Sequence, residues 1–234
     1  MFSNILEFQY ESSSIDWCES NYYFSNFICE FNNSWSSLLY IFFAIYTMIY
    51  YSKFINNYYI YFILFSSILV GLTSYLFHST LSIGGQLMDE SSIILFIISS
   101  DITINKNYFV TLFFSFFLIL SLMFPFYCRF FLLTIGCYII YNTIKNVKDK
   151  YNDLWIYFKM TLKIFIASII FWIIDIFFCD YLFFATHFIW HILTSIALYN
   201  LIIITIVINN DMVKVKNNYI LGLEDKEVPF NKLV

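Results

Sequence analysis

Long apolar stretches recur along most of this chain, and they constrain its fold more than any other feature. Each has the length of about 17–25 residues that an α-helix needs to cross a bilayer. Of the 234 residues, 61% are hydrophobic and 12% are charged, whereas a soluble domain is about half apolar and a quarter charged. The sequence therefore predicts an all-α integral membrane protein, with spans at residues 34–52, 58–80, 88–104, 108–125, 126–144, 158–179 and 186–208.

A count of seven spans is preferred to the alternative of six. The third window begins with Asp89 and Glu90, and only Pro125 separates the fourth from the fifth. Basic residues favour the cytosolic side of a membrane protein. With seven spans, eleven of the twelve basic residues fall on the C-terminal side and only Arg129 falls on the other. We therefore predict seven transmembrane helices, with a lumenal or extracellular N-terminus and a cytosolic C-terminus.

The spans divide the chain into three regions. Residues 1–33 form an acidic leader without Lys or Arg, residues 34–208 form the membrane domain, and residues 209–234 form a short polar tail. The leader lacks the basic segment that begins a signal peptide. No basic patch with interleaved aromatic residues points to nucleic acid, and no pattern indicates an obligate protein partner. The five cysteines form no CxxC motif, which argues against a cysteine-based zinc site.

All three histidines fall on the predicted lumenal side. His187 and His191 are four residues apart, so a helix places them on one face, and His78 lies at the end of the second span. Ionisable groups at membrane depth are costly and often functional. Three histidines can hold zinc and leave a fourth position for water. The alternative is hydrogen bonding between helices, but the spacing favours a metal.

Two further polar residues fall on the same side. Asp89 is a candidate general acid and base that takes a proton from water, or alternatively a helix cap. Ser74 lies four residues before His78, where its hydroxyl can stabilise an oxyanion. By itself, Ser74 is better explained by a packing role or by a bond to the helix backbone. Asp175, deep in the sixth span, is a candidate structural residue or partner of the metal ligands.

The leader segment DWCESNYYFSNFICE is rich in oxygen donors. Asp16, Glu19, Asn21 and Glu30 have side chains that suit a hard cation such as calcium. The segment is not an EF-hand, because the glycine and the final glutamate of that motif are absent. Spacing alone favours a solvated acidic loop over a cation site.

Two cysteines are predicted to form a disulfide. Cys18 and Cys179 would both face the lumen, where disulfides persist. Their pairing would tie the leader to the end of the sixth span. Cys29 is a competing partner for either of them.

Four blocks, in order, resemble the alkaline ceramidase family, which belongs to a group of seven-span hydrolases that includes the adiponectin-receptor-like proteins. They are IDWCESNY…ICEF, SYLFHSTLSIGGQLMDE, FWIIDIFFCD and HFIWHIL, and they extend from about residue 15 to residue 200. The chain departs from the family at DESS, where Leu-Pro tends to follow Asp-Glu. This departure concerns the start of the third span and not the ligand set.

The resemblance implies a zinc-dependent amidohydrolase that cleaves the N-acyl bond of ceramide into a sphingoid base and a fatty acid. It implies an enzyme of the endoplasmic reticulum or Golgi membrane, surrounded by membrane lipids. It assigns zinc to His78, His187 and His191, and catalysis to Ser74 and Asp89. It assigns calcium to Asp16, the backbone carbonyl of Trp17, Glu19, Asn21 and Glu30.

Two other functions compete with hydrolysis. A seven-span receptor of the same group would use zinc mainly for structure, but the acidic leader and the lumenal N-terminus favour the ceramidase. A transporter would carry charged residues along a path through the membrane and is often built from internal repeats. Here the polar residues collect on one side and no repeats are evident, so the transporter is disfavoured.

Overall fold

The chain forms seven long helices within the residues that the computed structural model describes, which are 11–55, 57–106, 108–123, 128–181 and 184–210. The helices begin and end close to the predicted spans. The first ten residues of the leader and residues 211–234 of the tail lie outside the described residues. The helices are α1 (Phe31–Tyr50), α2 (Tyr58–Thr80), α3 (Ile83–Ile104), α4 (Tyr108–Met123), α5 (Cys128–Lys150), α6 (Trp155–Phe177) and α7 (His187–Asn209).

Several of these helices identify an integral membrane protein. Four helical segments are long and apolar enough to cross a bilayer, and a shorter apolar helix covers Tyr108–Leu120. Helices α1 and α3 are more polar, because each buries several serine and threonine side chains together with Asn33 or Asp101. The seven-span count and the orientation of the termini stay predictions. The four segments are Tyr58–Thr80, Phe130–Lys150, Asn152–Phe177 and His187–Asn209.

Helix α3 begins five residues earlier than predicted. The side chain of Ser82 caps it by accepting a hydrogen bond from the backbone N–H of Gly85, at 3.1 Å. Asp89 therefore lies inside the helix, and the alternative that made it a helix cap is wrong. Gly85 allows the tight turn from α2, because a Cβ atom there would lie 2.9 Å from the Cα of Phe77.

The two helices that carry the histidines belong to one packed core. Helix α1 packs between α2 and α7, α2 packs on α3, and α6 packs on α7. Helices α4 and α5 pack on α3 from the other side. Side chains from α1, α2, α3 and α7 form the largest apolar cluster, which includes the fully buried Ile60, Leu64 and Ile202. This core fixes the end of α2 relative to the start of α7.

The leader crosses the end of the bundle where α2 meets α3. The backbone N–H of Ser13 donates to the carbonyl of Leu81 at 2.7 Å, and the N–H of Ile83 donates to the carbonyl of Glu11 at 2.9 Å. A disulfide joins Cys18 to Cys179 just after α6, with 5.3 Å between their Cα atoms. The predicted pairing is therefore confirmed, and the competing Cys29 is a free, buried thiol.

Helices α1 and α2 approach closely at Gly71. A Cβ atom at this position would lie 2.6 Å from Cγ1 of Ile41 and 3.1 Å from the backbone oxygen of Ser37. Small residues at such crossings let membrane helices pack by van der Waals contact. The backbone oxygen cannot move aside without shifting α1, so glycine is required here.

We expect Gly71→Ala to destabilise the bundle by about 1–3 kcal/mol, the usual effect of overpacking. Thermal unfolding of the purified protein in detergent would measure the change. Gly84→Ala is the matched control, because a Cβ atom at Gly84 meets no heavy atom within 4 Å. Equal melting temperatures for the two variants would contradict the close approach of α1 and α2.

Candidate metal centre and active site

Three buried histidines meet at the end of the bundle that the leader covers. His78 lies in the last turn of α2, His187 begins α7, and His191 follows one turn later. One ring nitrogen from each lies within 4.8 Å of the others, and no side chain is more than 3% exposed. Within the described residues, this is the one group of three or more His, Cys, Asp and Glu side chains close enough to share an ion. The structure thus brings together the three histidines that the sequence singled out.

Two of the three rings are held through their Nδ1 atoms. Nδ1 of His78 lies 2.5 Å from Oε2 of Glu30. Nδ1 of His191 lies 3.0 Å from the backbone oxygen of Asn33 and 2.9 Å from the hydroxyl of Ser36. The backbone oxygen of Asn33 can only accept, so Nδ1 of His191 carries the hydrogen, and Nδ1 of His78 carries it when Glu30 is ionised. The Nε2 lone pairs of both rings are therefore left for a ligand, as in many metal-bound histidines.

The third ring is held differently. The His187 ring stacks on the indole of Trp17, with 3.6 Å between centroids. Its Nδ1 is buried and has no hydrogen-bond partner within the described part of the chain. A buried polar atom without a partner is unfavourable, and a bound metal ion near this ring would remove part of that cost. The unpartnered nitrogen and the all-imidazole donor set both fit zinc.

Asp175, at the end of α6, fastens the leader to the start of α7. Its Oδ2 accepts the backbone N–H of Cys18 at 3.0 Å. Its Oδ1 accepts the backbone N–H groups of Thr186 and His187 at 2.6 and 3.0 Å. Asp175 therefore positions the backbone of His187 and not its ring. Of the two expected roles, this is the structural one and not that of a partner of the ligand rings.

Ser74 and Asp89 face each other across α2 and α3. Ser74 lies one turn before His78 and is 2% exposed, and its hydroxyl hydrogen-bonds the carboxylate of Asp89. The Oδ1 atom of Asp89 is buried and finds no partner among the described residues. Tyr40 of α1 is close enough to interact electrostatically with Asp89, and its ring lies 6.2 Å from that of His191. The pair thus belongs to the histidine end of the bundle and keeps one carboxylate oxygen free.

Glu30, the residue before α1, contacts three parts of the chain. Besides His78, its carboxylate accepts the backbone N–H of Trp17 at 3.1 Å and the side-chain amide of Asn33 at 3.0 Å. The side chain has no exposed surface. Glu30 therefore joins the leader to both α1 and α2.

The other predicted calcium ligands lie next to it. Oε1 and Oε2 of Glu19 accept the backbone N–H groups of Asn32 and Asn33 at 2.6 and 2.9 Å, at the start of α1. The side-chain amide of Asn21 donates to both oxygens of Asp16, at 3.2 and 3.3 Å. Asp16 and Asn21 are exposed, whereas Glu19 is only 6% exposed. The alternative of a solvated acidic loop is therefore wrong for Glu19 and for Glu30.

The leader concentrates negative charge where little water reaches it. Burial raises the pKa of Glu30 to about 8, and the charge of Asp16 adds to the effect. Burial also raises the pKa of Glu19, with a further contribution from Glu30. Within the described residues, no Lys or Arg forms an ion pair with these carboxyl groups, and His78 contacts Glu30 as a neutral ring. Clustered oxygen donors without a compensating cation fit a hard metal ion such as calcium.

Residue spacing alone did not reveal the side chains that orient the candidate metal-binding histidines. Asn33 and Ser36 hold His191, and the indole of Trp17, expected to act through its carbonyl, stacks on His187. One signal was available, because Glu30, Asn33 and Ser36 are spaced by three residues. This spacing places the three polar side chains near one another on one face at the start of α1.

Comparison with known proteins identifies the family. Residues 9–229 match the family described as Ceramidase. The chain is 30% identical to alkaline ceramidase 1 of Homo sapiens over 215 residues, which cover 81% of this chain and 80% of the relative. It is 32% identical to alkaline ceramidase 1 of Mus musculus over 219 residues, 81% of this chain and 78% of that protein. An alkaline ceramidase of Drosophila melanogaster is 39% identical over 102 residues, 42% of this chain and 36% of the fly protein. The chain therefore belongs to the ceramidase family.

Proposed function

We propose that this protein is a zinc-dependent ceramidase, which hydrolyses the N-acyl amide bond of ceramide to a sphingoid base and a free fatty acid. The observation that carries the proposal is the buried cluster of His78, His187 and His191, which lies at the same end of the bundle as the Ser74–Asp89 pair. Membership of the ceramidase family and similarity to alkaline ceramidases support the class of reaction.

The three histidines would hold the zinc ion. Hydrogen bonds from two of their rings to Glu30 and to the backbone oxygen of Asn33 keep those rings in a fixed orientation, and stacking on Trp17 restrains the third. When bound, zinc supplies a Lewis acid that acidifies water and polarises an amide carbonyl. Because the rings are fixed before the metal arrives, little reorganisation opposes its binding.

Asp89 transfers a proton from water to the leaving nitrogen. Its free Oδ1 accepts a proton from water as the hydroxide adds to the amide carbon. The carbon–nitrogen bond then breaks, and Asp89 returns the proton to the leaving nitrogen, which departs as the amine of the sphingoid base. Ser74 holds Asp89 by a hydrogen bond in this structure. When its hydroxyl turns towards the substrate, it donates to the oxygen that gains negative charge.

We further propose that all seven helices span the membrane, with the leader and the active site on the lumenal side of the endoplasmic reticulum or Golgi. The Cys18–Cys179 disulfide supports this orientation, because disulfides persist in oxidising compartments. Lys53 follows α1, Lys106 follows α3 and Lys150 ends α5, all at the opposite end, as the preference of basic residues for the cytosol predicts. The amide of ceramide lies just below the headgroups, so a site near one end of the bundle meets it without extracting the lipid.

The leader is proposed to bind calcium. The oxygen donors would come from Asp16, the carbonyl of Trp17, Glu19, Asn21 and Glu30. The clustering of three carboxylates, two of them buried, supports a cation here. Since Glu30 also contacts His78, a cation on the leader would steady the ring that carries a zinc ligand.

His187→Ala is expected to abolish both zinc binding and the release of fatty acid from fluorescent ceramides, because one of three ligands is lost. Metal analysis and hydrolysis would be measured on the same purified protein. Ser195→Ala is the control in the same helix, since that hydroxyl bonds only the backbone carbonyl of Ile192, at 2.8 Å. A wild-type protein without zinc would contradict the metal assignment. Bound zinc without turnover would favour the receptor function instead.

Asp89→Asn is expected to keep zinc and to lower kcat by about 10²–10⁴-fold, the usual contribution of general acid–base catalysis. Ser74→Ala should keep zinc as well and lower kcat by about 10²–10³-fold, as for other oxyanion donors. Ser100→Ala in the same helix is the control, because the Ser100 hydroxyl donates to the backbone oxygen of Phe96, at 2.9 Å, and lies three turns from Asp89. Near-normal turnover of Asp89→Asn, or its loss of zinc, would overturn the assigned role.

Asp16→Asn is expected to raise the calcium concentration for half-maximal activity about tenfold, because fewer charged ligands weaken a calcium site. Zinc content should not change. Asp180→Asn tests the specificity of the effect, since Asp180 is also exposed on the same end of the bundle, next to the disulfide. An activity that does not respond to calcium chelation would refute the calcium site and leave the hydrolase proposal intact.

A further inference from the structure

A second polar cluster lies at the opposite end of the bundle, about 18 Å from Asp89 along α3 at the usual rise of an α-helix. It lines a cavity of about 220 Å³ between α3, α4 and α5. Neither the proposed reaction nor the leader uses these residues. The charged and amide side chains of the lining include Asp101, Asn105, Lys145, Asn146, Asp149 and Lys150.

Hydrogen bonds fix the orientation of the amides in this cavity. The amide nitrogen of Asn146 donates to the backbone oxygen of Ile104 at 3.0 Å and to Oδ1 of Asn105 at 3.1 Å. The amide nitrogen of Asn105 donates in turn to Oδ1 of Asp101 at 2.6 Å. Every partner in this chain of bonds is an acceptor, so neither amide can be turned over without losing its bonds.

Two buried oxygens receive no hydrogen bond from this network. Oδ2 of Asp101 and Oδ1 of Asn146 are buried and have no hydrogen-bond partner within the described part of the chain. Asp101 as a whole is 1% exposed. Unpartnered buried acceptors are rare because desolvation penalises them, and ionisable groups at membrane depth are usually functional. The two oxygens call for a ligand that donates hydrogen bonds and carries positive charge.

The outer part of the cavity carries positive charge and therefore favours an anionic group. Lys145, Asp149 and Lys150 are exposed where they line it, and none of them is in an ion pair within the described residues. Asp149 offsets one of the two lysines, so a positive charge remains near the opening. A metal cation would satisfy the inner oxygens but not this charge. A ligand with a cationic end and an anionic group satisfies both.

We propose that this cavity binds the headgroup of a phospholipid that carries a primary ammonium and a phosphate. The ammonium donates to Asp101 and Asn146, and the phosphate lies beside Lys145 and Lys150. Basic pockets between membrane helices on the cytosolic side commonly receive lipid headgroups, and the positive-inside pattern assigns this end to the cytosol. The bundle would thus hold a structural lipid in one leaflet while it acts on a different lipid in the other.

The test compares phosphatidylethanolamine with phosphatidylcholine of the same acyl chains, because the two headgroups differ by the methyl groups that replace the N–H donors. Each lipid is added to the purified full-length protein in detergent, and bound lipid is counted by native mass spectrometry. We expect phosphatidylethanolamine to bind at least about tenfold more tightly, the effect of losing a charge-assisted hydrogen bond. Equal binding of the two lipids would overturn the proposal.

Variants locate the lipid on the protein. Asp101→Asn should weaken phosphatidylethanolamine binding about tenfold or more, and the exposed double substitution Lys145→Ala/Lys150→Ala should weaken it as well. Asp153→Asn is the control, because this exposed carboxylate lies just beyond α5 and outside the cavity. Zinc content and melting temperature report whether each variant is folded.

Two further results would refute the assignment. One is unchanged binding in both the Asp101 and the lysine variants. The other is binding of a free sphingoid base that is as tight as that of phosphatidylethanolamine and is weakened equally by Asp101→Asn, which would remove the role of the phosphate. Because the readout is bound lipid and not turnover, failure of this inference is distinguishable from failure of the proposed hydrolase function.

Discussion

The carboxylate of Glu30 is the constraint on which the candidate site depends. It has no exposed surface and contacts the leader through Trp17, α1 through Asn33 and α2 through His78. A buried carboxyl group is tolerated only when its oxygens are hydrogen-bonded. The leader, α1 and α2 must therefore converge on Glu30 for the folded state to be stable. The same hydrogen bonds that satisfy this carboxyl group orient the first of the three histidines.

The sequence predicted the helices well because membrane helices are encoded locally. Hydropathy over about 20 residues measures the cost of placing a segment in lipid, and no tertiary contact is needed to read it. The histidine cluster was also predictable, since His187 and His191 share a helix face and the direction of the spans brings His78 to the same end. The disulfide between Cys18 and Cys179 was predictable for the same reason, because the direction of the spans places both cysteines at one end of the bundle.

Details that depend on tertiary contacts could not be predicted in this way. The start of α3 is set by the cap from Ser82 and by close packing at Gly85, so hydropathy placed it five residues too late. The cap alternative for Asp89 was excluded only by the cap at Ser82, and the hydrogen bond between Asp89 and Ser74 joins residues of different helices. Likewise, Glu19 reads as an acidic loop residue, yet it binds the backbone at the start of α1. These contacts join residues that are distant in sequence or depend on the conformation of a loop, so hydropathy and spacing do not predict them.

The position of the histidines along the chain has a consequence for biosynthesis. His78 belongs to the second helix and His187 and His191 to the last, while chains emerge from the ribosome N-terminus first. A nascent chain that lacks α7 has one imidazole at this site and cannot chelate a metal. The site therefore closes only after the whole bundle has been inserted, and a captured ion would mark a completed polypeptide. Any truncation before the seventh helix removes two of the three candidate metal ligands, however well the preceding helices are packed.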